Sequence, residues 1–229
     1  MIEAIVLAGG LGTRLREVVP DCPKPMAPVA GRPFLEILLE SLSSKGIDKI
    51  ILSVGFRGEA IKRHFGLRFS GMDIEYATEN SPLGTGGAIR LAMEFCSGNH
   101  VFIFNGDTYL DLDVAQVEDL WCKNGRPIIV AREVPNTSRY GRLRVIDNTV
   151  VGFSERGAAG VGIISAGCYV LNRGQLDRFE LNRRFSLESD FLPQAAAERL
   201  LDLYVTSGHF IDIGVPEDYS RAQIELAKD

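Results

Sequence analysis

Glycines, a few cations and two aspartates stand just past apolar runs in this 229-residue chain, and they are the residues whose types and spacing could do chemistry. The run EAIVLA at 3–8 stops at Gly9 and Gly10, with Gly12 close behind. Glycines there let the backbone turn sharply and aim N–H groups at an anion. The same stretch delivers Arg14, and Pro23 and Pro25 flank Lys24, which predicts a stiff extended segment. Two fixed cations beside a glycine loop suit a triphosphate; the plainer alternative is a β-turn with incidental surface charges. The loop matches neither a Walker motif, which ends in Gly-Lys-Ser/Thr, nor a G-x-G-x-x-G dinucleotide fingerprint opening into a helix. Asp107 follows the apolar run HVFIFN, at the carboxyl edge where α/β sheets bind ligands. Asp212 stands among Phe210, Ile211 and Ile213. A carboxylate in apolar surroundings needs a partner, for which a metal cation is natural and an Arg or Lys the alternative. Asp111 and Asp113 read as turn and helix-start residues.

The elements that must position these groups alternate. Strand-like runs at 3–8, 49–54, 73–78 and 100–105 are separated by helical patterns at 33–45, near Ile61 and Phe65, and at 85–95. Leu35, Leu38, Leu39 and Leu42 share one helical face, with Pro33 in the first turn and Gly46 at the C-cap. Alternation at this interval implies right-handed crossovers and a parallel sheet. After residue 125, four β-rich runs (127–134, 141–146, 149–155 and 162–171) arrive with short connections, as in an antiparallel region. Helical segments near 189–199 and 216–227 flank one more strand, LLDLYVT. The expected fold class is α/β: a Rossmann-like, mostly parallel sheet flanked by helices, with an inserted antiparallel region. The expected organisation is a single domain over 1–229, in two parts at about 1–125 and about 126–229.

Bulk properties narrow the function. A net charge of −5 argues against nucleic acid as a partner, which demands clustered Lys and Arg. No apolar stretch nears the roughly 20 residues of a membrane span. Met1-Ile2-Glu3 puts an acid where a signal peptide carries positive charge. Cys22, Cys96, Cys122 and Cys168 lack metal-ligand spacing and read as small apolar residues. A cytoplasmic location is expected. The oligomeric state stays open, a homodimer included.

LAGGLGTRL at 7–15, followed by PKPM at 23–26, resembles the signature of the sugar nucleotidyltransferases, the pyrophosphorylases that make nucleotide sugars. The longer run PKPMAPVAGRPFLE is most similar to the bacterial D-glycero-α-D-manno-heptose 1-phosphate guanylyltransferases. The resemblance covers essentially the whole chain and implies a nucleotide-diphospho-sugar transferase fold without the C-terminal β-helix of some relatives, with nucleotide bound by about 1–125 and sugar phosphate by about 126–229. It implies that Leu7, Ala8, Gly9, Gly10, Gly12, Thr13, Gly84 and Thr85 bind nucleotide, and that Mg²⁺ is held by Asp107 and Asp212. It further implies that Lys24 meets the α-phosphate and Arg14 the departing pyrophosphate, both as catalytic residues. In ENSPLGTGGA, residues 79–88, Gly84, Gly86 and Gly87 allow close backbone approach, and Thr85 is expected to cap the next helix. Glu79 falls where the family reads the base. Its carboxylate would accept from guanine N1–H and N2–H₂, which favours GTP over ATP and, less decisively, over UTP; a solvated loop acid is the alternative. By the same resemblance Glu155 and Arg156 contact the sugar and its phosphate, Gly167 lies under the sugar ring, and Glu188 supports the site. Arg156 replaces the usual Lys, and Ser165 stands where Asn is common.

The implied substrates are GTP and D-glycero-α-D-manno-heptose 1-phosphate, with GTP and mannose 1-phosphate, or UTP and another sugar 1-phosphate, as alternatives. Two other classes remain: a dinucleotide oxidoreductase, which lacks its fingerprint here, and a non-catalytic nucleotide sensor, which could have lost the acids and cations.

Overall fold

Glu3 begins the first strand as a buried acid, 2% exposed, and shows how the chain satisfies what it buries. Its carboxylate accepts the N–H groups of Ser97 and Gly98 at 2.8 and 2.7 Å and faces Lys49 at 3.3 Å. Burial alone would raise this carboxyl, but those bonds outweigh it and hold the group below its ordinary range.

A computed structural model describes residues 1–10, 23–55, 57–154, 157 and 159–227. In chain order the elements are β1 (Glu3–Leu7), β2 (Pro28–Val29), β3 (Arg32–Pro33), α1 (Phe34–Ser44), β4 (Lys49–Val54) and α2 (Gly58–Phe65). Then come β5 (Arg68–Phe69), β6 (Met72–Thr78), α3 (Gly84–Ala92), β7 (His100–Asn105), β8 (Thr108–Leu110) and α4 (Val114–Asn124). The remainder is β9 (Ile128–Val134), β10 (Leu143–Ile146), β11 (Thr149–Phe153), β12 (Gly162–Asn172), α5 (Leu192–Ala197), β13 (Leu201–Val205), β14 (Phe210–Asp212) and α6 (Pro216–Glu225).

Ten strands form one sheet in the order β10-β11-β13-β9-β12-β7-β1-β4-β6-β5. Strands β7, β1, β4 and β6 run parallel, the α/β part expected from the alternating pattern. The antiparallel part enters through β12, which lies between β7 and β9 and opposes both. Successive strand residues face opposite sides, so each strand feeds two cores. Ala4, Val6, Ile50, Leu52, Phe102 and Phe104 pack with α1, α2, α4 and α6. Ile5, Ile51, Ile103 and Ala77 pack with α3 and α5 on the other face. On α1 the predicted stripe Leu35, Leu38, Leu39 and Leu42 is buried, each side chain contributing about 1.5–3 kcal/mol. That helix ends at Ser44 with Lys45 as its C-cap, one residue earlier than expected, and Gly46 follows with φ +86°. Asp113 caps α4 by accepting the Gln116 N–H, and Pro216 opens α6, both as the sequence implied.

The crossover from β1 goes to β4 on one side, while β7 pairs on the other, so the strand order switches between β1 and β7. Ligands of open α/β sheets bind in the crevice outside such a switch point. Here the two strand ends are drawn together by the Gly106 N–H bonding the Leu7 carbonyl at 3.0 Å. A Cβ at Gly106 would lie 2.4 Å from that oxygen, so no larger residue fits.

Candidate active site

A cavity of about 620 Å³ opens at this switch point. Leu7, Gly9, Gly10, Lys24, Ser53, Glu79, Gly84, Thr85, Asn105, Asp107 and Glu188 are among its lining residues. One end is charged. Asp107 stands two residues past the last residue of β7, and Lys24 Nζ forms an ion pair with its Oδ2. Lys24 does not sit in an extended segment: Lys24–Met26 is a single 3₁₀ turn, closed by Met26 N–H to Pro23 O at 2.8 Å. Pro25 is tolerated because a first-turn residue needs no N–H partner.

Asp212 reaches the same end through tertiary pairing. Strand β14 pairs antiparallel with β8, setting Asp212 opposite Thr108, and Ile213 N–H bonds the Asp107 carbonyl at 3.0 Å. Asp212 Oδ1 accepts the Gly214 N–H at 2.7 Å. Asp212 Oδ1 and Lys24 Nζ lie 2.7 and 2.8 Å from the point where Gly214 would carry a Cβ. Two carboxylates and one ammonium therefore converge, an arrangement of hard oxygen donors that suits Mg²⁺. Among the described residues no group of three or more His, Cys, Asp or Glu could hold a metal ion. A metal bound here would complete its shell with substrate oxygens and water.

Glu79 marks the other end. Its Oε2 accepts the Leu83 N–H at 2.9 Å, and Ser53 Oγ donates to Oε1 at 3.4 Å. Burial pushes this carboxyl up, and the two bonds offset only part of the effect. Thr85 is not the helix cap; α3 begins at Gly84, and Thr85 lies in its first turn. Its hydroxyl instead accepts the Leu187 N–H at 2.9 Å and donates to Glu188 Oε2 at 2.5 Å. Nor do Gly86 and Gly87 face a ligand. A Cβ on Gly86 would lie 2.2 Å from the Phe185 ring, and one on Gly87 would lie 2.5 Å from the Arg183 carbonyl. Ala8 is buried at 1% exposure and its N–H is spent on the Ser53 carbonyl at 2.8 Å, so it does not line the cavity.

Gly167 sits at a bulge in β12 with φ +73°, its missing Cβ giving room to the Asn105 side chain. Gly12, Thr13, Arg14, Glu155 and Arg156 lie outside the described residues. Sequence reasoning missed Ser53 and Asn105. Both occupy the carboxyl ends of apolar strands, the signal that found Asp107.

The nucleotidyl transferase family pattern matches residues 3–229. The chain belongs to the nucleotidyl transferase family. This nucleotidyltransferase is 39% identical over 226 residues to D-glycero-alpha-D-manno-heptose 1-phosphate guanylyltransferase of Aneurinibacillus thermoaerophilus, covering 98% of each chain. It is 37% identical to the protein of that name in Campylobacter jejuni, covering 95% of this chain and 97% of the relative. In three dimensions it matches HddC from Yersinia pseudotuberculosis complexed with GMP-PN, with TM-score 0.86 and 36% identity over 97% of this chain and 98% of that one. No helix among the described residues is long and apolar enough to cross a membrane.

Proposed function

We propose that this nucleotidyltransferase joins GTP to D-glycero-α-D-manno-heptose 1-phosphate, releasing pyrophosphate and GDP-heptose, and that it does so in the cytoplasm. The observation that carries the reading is the convergence of Lys24, Asp107 and Asp212 at one end of a cavity whose other end holds Glu79. The similarity to the heptose phosphate guanylyltransferases supports the choice of substrates.

The chemistry is a displacement at phosphorus. A phosphate oxygen of the sugar 1-phosphate attacks the α-phosphorus of the nucleotide, a new P–O bond forms, and the bond to the β-phosphate oxygen breaks. The electron pair leaves on pyrophosphate, so the α-phosphorus inverts. Phosphate oxygens are already ionised at pH 7, so the protein need supply neither a nucleophile nor a strong base. Repulsion between the two anions is the obstacle, and catalysis reduces to alignment and charge neutralisation. Asp107 and Asp212 would hold Mg²⁺, which when bound supplies positive charge against the phosphates. Lys24 neutralises the α-phosphate, Arg14 the pyrophosphate and Arg156 the sugar phosphate.

Base selection falls to Glu79. Each carboxylate oxygen can accept two bonds, so both retain capacity toward guanine N1–H and N2–H₂ beside the Leu83 and Ser53 bonds. Adenine would set an acceptor against the charge, at a cost of about 1–3 kcal/mol.

The test is a pyrophosphate-release assay crossing five nucleoside triphosphates with a panel of sugar 1-phosphates. GTP with the heptose phosphate should give the highest kcat/KM, with mannose 1-phosphate weaker but detectable. A GTP-to-UTP ratio below one overturns the guanine assignment. Asp107→Asn should keep the melting temperature within a few degrees and lower kcat by about 10²–10³ or more; full activity in that variant sinks the role given to the acid.

A further inference from the structure

Asn105 is half-buried, lines the cavity, and has no part in the reaction scheme. Around it, Lys24 is paired with Asp107, Ser53 donates to Glu79, and the Thr85 hydroxyl holds Glu188. The Asn105 amide bonds no group among the described residues. An amide offers two N–H donors and a carbonyl acceptor. Left unused at the wall of a cavity, those groups are available to a ligand.

The fold fixes where the amide lies. Asn105 ends β7 and pairs with Leu7 of β1 on one side. On the other side the ladder with β12 begins only at Cys168, opposite Phe104, and β12 bulges between Ser165 and Cys168. Gly167 sits in that bulge with φ +73°. A Cβ there would lie 2.8 Å from Asn105 Nδ2 and 3.3 Å from its Cγ. The amide therefore rests against the bare backbone of Gly167, turned toward β12. Alternation along β7 puts Asn105 on the side of Ile103, which packs with α3 and α5.

The two ends of the cavity decide what reaches this point. Glu79 Oε1 takes the Ser53 bond and lies 2.7 Å from where Gly9 would carry a Cβ, so the base end stands over β4 and β1. The sheet runs β12-β7-β1-β4, and the Asn105 amide is turned away from that end. A nucleotide laid from Glu79 toward Lys24 and Asp107 brings its α-phosphorus to β7. The sugar phosphate that attacks it continues past that phosphorus, over β7 and β12. A sugar ring there presents hydroxyls, each both donor and acceptor, which match an amide. Neutrality matters too. Asp107 and Asp212 already charge this end, and the site must admit two anions, so an amide can read hydroxyls without adding to the repulsion.

We propose that Asn105 is a specificity-determining residue that hydrogen-bonds a ring hydroxyl of the sugar 1-phosphate. The inference rests on the sugar 1-phosphate reading above and adds a contact to the sugar itself rather than to its phosphate.

Steady-state kinetics with GTP and the heptose 1-phosphate, or its 2-, 3- and 4-deoxy analogues, test it. Asn105→Ala should raise the KM for the heptose phosphate about tenfold and leave that for GTP within about twofold. Wild type should use at least one deoxy analogue about tenfold less well in kcat/KM than the parent sugar, and Asn105→Ala should shrink that ratio to about twofold. A purely structural role would slow every analogue alike and leave the ratios unchanged. Asn105→Asp keeps the shape but adds a carboxylate beside two anions, so its KM for the heptose phosphate should exceed that of Asn105→Ala. It carries the same comparison of analogues if Asn105→Ala does not fold. Unchanged analogue ratios, equal rises in both KM values, or a rise confined to GTP, which would move the amide to the ribose, each overturn the proposal. A wild-type enzyme that turned over no sugar 1-phosphate would sink the parent reading and this inference together. A fully active wild type with an unaffected Asn105→Ala sinks this inference alone.

Discussion

Gly10 and the glycines at 84–87 look alike in sequence and do opposite things in the fold. At Gly10 an added Cβ would meet nothing within 4 Å, and the residue lines the cavity. At Gly84, Gly86 and Gly87 the same atom would collide with Phe185 or Arg183. Gly10 keeps backbone open to a ligand, while Gly9 gives its space to Glu79 and Gly55. The second set gives space to the protein's own segment 183–185, whose Phe185 carbonyl also accepts the Gly86 N–H at 3.1 Å. A glycine-rich loop therefore marks close approach without saying what approaches. Glu79 joins the two regions, since its Oε1 lies 2.7 Å from where Gly9 would carry a Cβ while its Oε2 holds Leu83 N–H.

The largest effect should come from filling the packed set. Gly86→Ala forces its methyl into the Phe185 ring, which is 6% exposed and stacked 4.0 Å from Phe179. Overpacking of this kind costs about 1–3 kcal/mol, or roughly 2–12 °C in Tm for a chain of this size. Phe185→Ala should cost about 3–5 kcal/mol by itself. In the Phe185→Ala background, however, Gly86→Ala should be at least about 1 kcal/mol cheaper, a coupling that chemical denaturation of the four proteins measures. Equal costs in both backgrounds would break the contrast between the two glycine sets.

Gly10→Ala should behave the other way. Stability should move by no more than about 0.5 kcal/mol, while the KM for GTP rises several-fold. A fall in Tm comparable to that of Gly86→Ala would show that the two loops are built alike after all.

The smallest stability effect, and the most diagnostic sign, belongs to Glu79. Its carboxyl is raised in the folded protein by burial, so the folded state binds a proton more tightly than the unfolded chain does. Stability from this group is present below the unfolded pKa and lost as pH rises through the higher folded value. Glu79→Gln should therefore leave Tm at pH 7 equal or higher while raising the KM for GTP about tenfold, the worth of a charged hydrogen bond. In the wild type, 1/KM for GTP should fall as pH drops through the raised carboxyl value, and Glu79→Gln should flatten that slope. A pH profile identical in the two proteins would remove Glu79 from base recognition.

Much of this was legible from local signals. Strands β1, β4 and β7 were readable because their apolar runs are five or six residues long and face two cores, and β6 because its residues alternate between buried and exposed. Asp113 and Pro216 were readable because caps and first turns act within four residues of themselves. Lys24 was found by its charge, but its 3₁₀ turn was not, since prolines fit both that turn and an extended segment. Thr85 was misjudged as a cap because its partners, Leu187 and Glu188, lie about a hundred residues away.

By itself, the sequence determined the α/β rhythm, the strand end that carries Asp107, and an acid at 212 in surroundings that demand a partner. Tertiary structure alone decided that the two acids meet. Strands β8 and β14 are three residues each, too short to carry a readable period, and they pair across roughly a hundred residues. Only the finished sheet brings them together, by fixing where β7 ends and where α6 must begin. The same holds for the glycines of 84–87, whose need for small size is set by Phe185 from the far side of the chain. Periodicity is a property of neighbours along the backbone, and a site assembled from three distant loops has none to read.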